Sequence, residues 1–366
     1  MGQSPPGETY NEHGEGMIFF QGVADFGFRY PKDRVYCTKP KKIAKENDIL
    51  ISVRAPIGRI NVAKTECAIG RGLGIIRAYD DGDQFFLEFA LLSLDKYWES
   101  LEGEGTVFGN LSKLTLHELP IPWFEKPERV SIGKNFDDLT SKIQNLQNEN
   151  KILEQTAQAI FKSWFVDFDG VTEFEDSELG QIPKGWIIQT LDNISKLTMG
   201  LSPVGSSYNT ENDGVPLLNG PADFSMNSIS PKKFTTKPTR ICQKDDVLLC
   251  VRATIGNAIF SDKEYCLGRG VGSLTPKQFH GEFLYEIINH YTKKLTQESG
   301  GSVIIGLTKP DLEKLSFAYS EKIVIEFHKT TNQTIKKIRN NVVELTNIAK
   351  IRDALLPKLI SGEIRV

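Results

Sequence analysis

Four arginines stand where the chain turns. Arg71 lies in "GRGLG" (70–74) and Arg269 in "GRGVG" (268–272), each between two glycines. Arg54 ends the apolar run "DILISV" (48–53), and Arg252 ends "DVLLCV" (246–251). A guanidinium presents a planar fork that matches a phosphate or the edge of a guanine. Equally open for Arg54 and Arg252 is a structural role, pairing with a nearby carboxylate or carbonyl. Lys113 follows "GNLS" (109–112) and Lys309 follows "IGLT" (305–308), where phosphate contact and plain solvation compete. The loop at 3–11 carries Gln3, Ser4, Tyr10 and Asn11, against Ser202, Tyr208 and Asn209 in the loop at 201–209. Polar loop residues of this kind reach base edges, and they also serve ordinary turns. Positions that differ between the two loops, such as Gln3 against Leu201, are where the two would read differently.

Other chemistries are poorly supported. The five histidines are scattered, without HExxH or similar spacing, so no metal site is expected. The five cysteines (37, 67, 242, 250, 266) form no CxxC pair, which favours a reduced, cytoplasmic compartment over a disulfide framework. There is no GxxxxGK[ST] loop and no Asn/Asp-Pro-Pro-Tyr/Phe run; "NGPADF" (219–224) is a near miss. The two Gly-Arg-Gly phrases have G-x-G-x-G spacing and lead into strand-like sequence. A dinucleotide fingerprint needs G-x-G-x-x-G opening into a helix. Turn or bulge glycines that bring Arg71 and Arg269 to the surface are the expectation.

The elements that must position these residues come in two copies. "MGQSPPGETYNE" (1–12) returns as "MGLSPVGSSYNTE" (199–211), a shift of 199 − 1 = 198. The same shift joins Ala24-Asp25-Phe26 to Ala222-Asp223-Phe224 and "NDILISVRAPIG" (47–58) to "DDVLLCVRATIG" (245–256). It slips to 196 where Asn110-Leu111-Ser112-Lys113 meets Gly306-Leu307-Thr308-Lys309. The chain is a duplication. In each copy a short β-branched run, a turn and a second apolar stretch (60–63, 258–260) read as strand, turn, strand. Helical stretches are expected at 84–101 and 281–297.

After each such domain the period changes. Ile132, Phe136, Leu139, Ile143, Leu146, Asn150, Leu153, Ala157, Ile160 and Trp164 are spaced 4-3-4-3, as are Ile335, Ile338, Val342, Leu345, Ala349, Arg352, Leu356 and Leu359. A seam sustained this long predicts two long helices forming an antiparallel coiled coil, with Asn150 as a buried amide that fixes register. Such a pair would place the two domains at opposite ends of a rod, roughly 55 Å long at about 1.5 Å per residue. The fold class is therefore α+β: two similar mixed α/β domains separated by two long helices.

Composition neither demands nor forbids a nucleic-acid partner. Net charge is −3 over 366 residues. Basic and acidic side chains number 14 and 17 in 1–124, 6 and 12 in 125–180, 15 and 13 in 181–318, and 9 and 5 in 319–366. Acid is concentrated in "DFDGVTEFEDSE" (167–178), a solvated connector. DNA binding would have to come from local placement or be completed by a partner.

Particular phrases at the joints give the layout a family likeness. "LEQTAQAIFKSWFVDF" (153–168), "LLPKLISGEIRV" (355–366) and "IPKGWIIQTLDNISKL" (182–197) resemble, in turn, the central helix, the C-terminal end and a domain start in DNA-specificity subunits of type I restriction-modification systems. The resemblance implies target-recognition domains at 1–127 and 185–320, helices at 128–165 and 321–361, an acidic connector at 166–184 and a tail at 362–366. It implies a non-catalytic subunit that reads a split sequence in double-stranded DNA and docks two methyltransferase subunits and the restriction motor-nuclease subunits. S-adenosylmethionine, ATP and magnesium would belong to those partners, and no cofactor to this chain. The site residues would be Gln3, Ser4, Tyr10, Asn11, Arg54, Arg71 and Lys113 in one domain, and Ser202, Tyr208, Asn209, Arg252, Arg269 and Lys309 in the other. One departure stands out: the second copy has 17 residues (182–198) ahead of its "MGLSP" and the first has none, so the opening phrase reads as the interior of a domain. The alternative function is a coiled-coil adaptor whose repeated domains bind protein or carbohydrate. An enzyme with two active sites ranks last, because no paired nucleophile, base or metal motif recurs.

Overall fold

The computed structural model describes residues 1–103, 111–225, 228–252, 255–298 and 306–365. It divides into two units, Met1–Asn148 with Glu344–Val366, and Glu149–Val343. Each unit is one mixed domain together with a stretch of both long helices, Lys126–Phe165 and Glu321–Ile360. The heptad seams at 132–164 and 335–359 fall inside these two helices.

The first unit holds two sheets. Five strands run in the order Tyr10–Asn11, Tyr36–Cys37, Met17–Phe20, Cys67–Ile69, Ile43–Ala44, with one parallel pairing, Phe19 opposite Ala68. Three antiparallel strands, Ile60–Val62, Ile49–Ser52 and Leu73–Ile76, form the second. Ile49–Ser52 is buried along its whole length, which is why it reads as an unbroken apolar run rather than an alternating one. Helix Gln84–Leu92 buries Phe86, Phe89 and Ala90 against Ile132 and Phe136 of the first long helix and Leu359 of the second. Gly133 makes that approach possible, because a Cβ there would lie 2.5 Å from the Phe86 nitrogen. Arg29 then joins the layers: it donates to Glu88 at 3.0 and 2.8 Å and lies 2.7 Å from Asp137.

The second unit repeats this plan at the shift of 198. Its five strands run Tyr208–Asn209, Lys233–Thr235, Val215–Leu218, Tyr265–Leu267, Ile241–Cys242, again with one parallel pair. The other sheet differs. Ser195–Met199 pairs with Val271–Pro276, which pairs with Val247–Cys250 and then Gly256–Phe260, making four strands. In the first unit Leu73–Ile76 pairs only with Ile49–Ser52 among the described residues. Helix Gly281–Glu298 is continuous, whereas the matching stretch in the first unit breaks into Gln84–Leu92 and Asp95–Gly103. At that break the Ser93 hydroxyl donates to the Ala90 carbonyl at 2.7 Å, competing with the helical ladder. The acidic connector forms a hairpin, Phe174–Ser177 with Gly180–Pro183, whose Ile182 and Pro183 are buried.

Within each unit the two long helices run antiparallel. In the first, Lys142 reaches Glu344 at 3.0 Å, and Ile132 and Phe136 meet Leu355, Leu356 and Leu359. In the second, Asn341 donates to Asn150 at 2.9 Å and to Glu149 at 2.8 Å, while Phe161 and Phe165 meet Phe327. Asn150 is buried, as the seam predicts; its partner is Asn341 rather than the neighbouring Val342. Toward the end of the first long helix Phe161 and Phe165 are buried more deeply than Ile160 and Trp164.

Candidate nucleic-acid interface

In each unit five separate segments are tied together by main-chain hydrogen bonds. In the first unit Gly2 N–H donates to Leu73 O (2.8 Å), Gln3 to Ile69 O (3.1 Å), Gly70 to Phe20 O (2.8 Å), Val53 to Gly72 O (2.9 Å) and Leu111 to Val53 O (2.8 Å). The second unit repeats the set: Gly200 to Val271 O (3.0 Å), Leu201 to Leu267 O (2.8 Å), Gly268 to Leu218 O (2.7 Å), Val251 to Gly270 O (2.9 Å) and Leu307 to Val251 O (2.8 Å). The opening loop, the strand ends at Arg54 and Arg252, the Gly-Arg-Gly turns and the loops before Lys113 and Lys309 are thus gathered at one place per unit.

The glycines exist for this convergence. A Cβ on Gly2 would lie 2.1 Å from Gly70 O, and one on Gly200 2.1 Å from Gly268 O. A Cβ on Gly72 would lie 2.4 Å from Gln21 O, and one on Gly270 2.2 Å from Asn219 O. Strands follow both turns, Leu73–Ile76 and Val271–Pro276, so neither is the mouth of a phosphate-binding helix. Arg71 and Arg269 leave the turns into solvent. Ser4 Oγ accepts from the Arg71 N–H at 3.2 Å; Ser202 Oγ accepts from the Arg269 N–H at 3.4 Å and from its Nε at 3.3 Å. Arg54 and Arg252 are exposed, and among the described residues neither forms an ion pair.

In the first unit these groups line a cleft of about 250 Å³ that includes Ser4, Gln21, Gly22, Arg54, Arg71 and Gly72. Lys113 is exposed at the start of the short helix Lys113–His117, whose N-cap Ser112 accepts from Thr115 N–H. Lys309 begins the equivalent helix Lys309–Glu313 and is paired with Glu313 at 3.2 Å. The leading residues of the two loops, 109–110 and 305, lie outside the described residues. Gln3 and Leu201 occupy the same place and both are exposed.

Four sequence candidates serve their own hairpins instead. Asn11 donates to Glu15 O at 2.8 Å and accepts from its N–H at 2.9 Å; Asn209 donates to Asp213 O at 2.9 Å and accepts from its N–H at 3.1 Å. Tyr10 packs on Phe19 at 4.8 Å and donates to Pro5 O at 3.0 Å. Tyr208 lies under the Lys233 ammonium, 5.9 Å from its ring centre.

The residue that sequence reasoning missed is Gln21, with its counterpart Asn219 (21 + 198 = 219). Both follow a strand, both are exposed, and both sit against the Gly-Arg-Gly turn. A primary amide kept at one register position in two copies was the available signal.

The comparisons with known proteins agree with this architecture. The family model of the type I restriction modification DNA specificity domain matches residues 34–155 and 183–345. A relative from Methanocaldococcus jannaschii carrying the MjaX specificity-subunit name is 29% identical over 269 residues, 70% of this chain and 61% of that protein. The chain thus spans about three fifths of that relative's length. The type I restriction enzyme MjaIX specificity subunit of the same organism is 29% identical over 350 residues, 89% of this chain and 79% of its own. The HindI specificity subunit of Haemophilus influenzae is 24% identical over 330 residues, 70% of each chain. The crystal structure of the type I restriction-modification S subunit from M. genitalium superposes with a TM-score of 0.66, covering 98% of this chain and 92% of that one at 18% identity, which is a likeness of fold. With both domains matched by the family model, this chain belongs to the type I restriction-modification DNA-specificity family.

Proposed function

We propose that this chain is a non-catalytic DNA-recognition subunit in which each unit reads one half of a split target. The observation that carries this is the repeated cluster: in both units the same main-chain bonds bring Ser4, Arg54, Arg71 and Lys113, or Ser202, Arg252, Arg269 and Lys309, to one exposed place. Arginine forks suit phosphates and guanine edges, and two copies of one reader suit a bipartite site. Gln3 is tied to the first cluster through its main chain, whereas Tyr10, Asn11, Tyr208 and Asn209 serve the adjoining hairpins.

Catalysis then belongs to partners. Two methyltransferase subunits would use S-adenosylmethionine, and restriction motor-nuclease subunits ATP and magnesium. This fits a sequence without an amino-methyltransferase motif or an ATP-binding loop. The place of action is the cytoplasm; no helix among the described residues is long and apolar enough to cross a membrane. The test is to co-express the chain with the methyltransferase and restriction subunits encoded beside it, and to select duplexes from a random pool. Two fixed blocks of bases separated by unselected positions are expected. Retention without any sequence preference would overturn the reading in favour of an adaptor.

A further inference from the structure

We infer that Gln21 and Asn219 are specificity-determining residues, each presenting its amide to an adenine, while the arginines beside them hold the DNA backbone. This rests on the DNA-recognition reading and assigns the readout within it. Three observations carry it.

The first is that both amides are free. Gln21 and Asn219 are exposed, and among the described residues neither side chain makes a hydrogen bond. Asn11 and Asn209, the amides that the opening loops share in both copies, are consumed by their hairpin loops. A free amide offers one donor group and one acceptor side by side.

The second is that the main chain beneath each amide is fixed in the same way. Gln21 N–H donates to Asp25 Oδ2 at 2.7 Å, with Gly22 N–H at 3.4 Å on the same oxygen. Asn219 N–H donates to Asp223 Oδ2 at 2.6 Å, with Gly220 N–H at 3.3 Å. Asp25 and Asp223 are both buried, and Arg34 is 2.8 Å from Asp25. On the other side the carbonyls of Gln21 and Asn219 press against Gly72 and Gly270. Gly268 leaves room for the Asn219 amide, since a Cβ there would lie 2.8 Å from its Oδ1. The backbone is common to both units; what changes is the side chain, longer by one methylene in Gln21. Both amides thus start from one fixed main chain and differ only in how far they reach.

The third is the setting. Gln21 lines the same cleft as Arg54, Arg71 and Ser4. Guanidinium groups in the same cleft favour a phosphate, which supplies register and no sequence information. The amide is then the group that can discriminate, because Gln and Asn pair bidentately with N6 and N7 of adenine in the major groove. Gln3 cannot play this part in both units, since Leu201 replaces it.

The test uses the chain assembled with its methyltransferase partners and binding sites selected from random duplexes. Gln21→Ala should abolish an adenine preference at one position of one half-site, lowering cognate affinity by about 5- to 150-fold. The other half-site and binding to unrelated duplex should be unchanged. Asn219→Ala should do the same to the opposite half-site alone. Gln21→Arg should move the preference from adenine to guanine, a gain that misfolding cannot mimic. A uniform loss across sequences, an altered preference at a base other than adenine, or unaltered half-sites in both alanine variants would overturn the assignment. If the parent assembly selects no sequence at all, the recognition reading itself fails with it.

Discussion

Glu88 and Glu286 occupy one position of the duplication (88 + 198 = 286), both buried on the helix behind the sheet. Glu88 is answered by Arg29: burial works against that guanidinium's charge, and the hydrogen bonds and attraction of Glu88 and Asp137 outweigh it. Arg29's counterpart in the second copy is Asn227. Glu286 Oε1 is left without a partner among the described residues, and burial, reinforced by Glu154 and opposed by Lys293, pushes its carboxyl up to about 8. Between the ordinary carboxyl range and pH 8 the folded state keeps a proton that the unfolded chain has released. Stability therefore falls as pH rises through that window, by about 1.4 kcal/mol per unit for this group. Glu286→Gln should melt well above the parent at pH 8 and near it at pH 5. Equal differences at both pH values in thermal melts would show that Glu286 does not titrate there. Arg29→Met should be destabilising by about 3–5 kcal/mol in urea unfolding, because it strands Glu88. The exposed arginines make a different kind of prediction. Arg54→Ala or Arg252→Ala in the assembled complex should reduce the salt slope by about one unit on every sequence if a phosphate contact is lost. Loss confined to the cognate half-site would mark a base contact, and unchanged binding in both would return them to a structural role.

At the scale of elements, the long helices test how polar groups enter a seam. Asn150 and Asn341 satisfy each other at 2.9 Å in buried surroundings. Replacing one alone, Asn150→Leu, should cost about 1–3 kcal/mol, because Asn341 loses its buried amide partner and keeps only Glu149. The double variant with Asn341→Leu should recover most of that, so a double-mutant cycle measured by urea unfolding should be strongly non-additive; simple additivity would mean the pair does not couple. The helices and the duplication were legible in the sequence because periodicity and register survive every local irregularity. Asn341 was not, since the 4-3 spacing carried the reading onto Val342, and the amide pairing with Asn150 is a tertiary fact. Phe161 and Phe165 escaped for a related reason. That end of the helix packs on Phe283 of helix Gly281–Glu298 as well as on Phe327 of its partner helix, so its apolar face is wider than a seam. The cluster of exposed cations was half legible. Arg54, Arg71 and Ser4 repeat visibly, but only the main-chain bonds from Val53, Gly70 and Gly72 reveal that Gln21 stands among them.

For the whole molecule the governing quantity is charge. A chain of net −3 lacks the excess of basic residues that drives non-specific attachment to DNA. Its candidate contacts are Arg54, Arg71 and Lys113 in one unit and Arg252 and Arg269 in the other, while Lys309 is occupied by Glu313. Five phosphate contacts at about 0.9 each limit the salt slope of the isolated chain to about 4.5. Proteins that grip DNA through six to ten phosphates show steeper dependence and survive physiological salt only because their specific contacts add to it. The isolated chain should accordingly bind DNA weakly at physiological salt, and its slope should not exceed about five. Under the proposed function, adding a methyltransferase partner should steepen the slope and raise affinity on all sequences, while the preferred bases should remain those set by this chain. Titrating fluorescent duplexes across a range of salt, with and without the partner, separates the two contributions. A lone chain as tight and as salt-dependent as the assembly would mean that cations outside the two clusters hold the DNA.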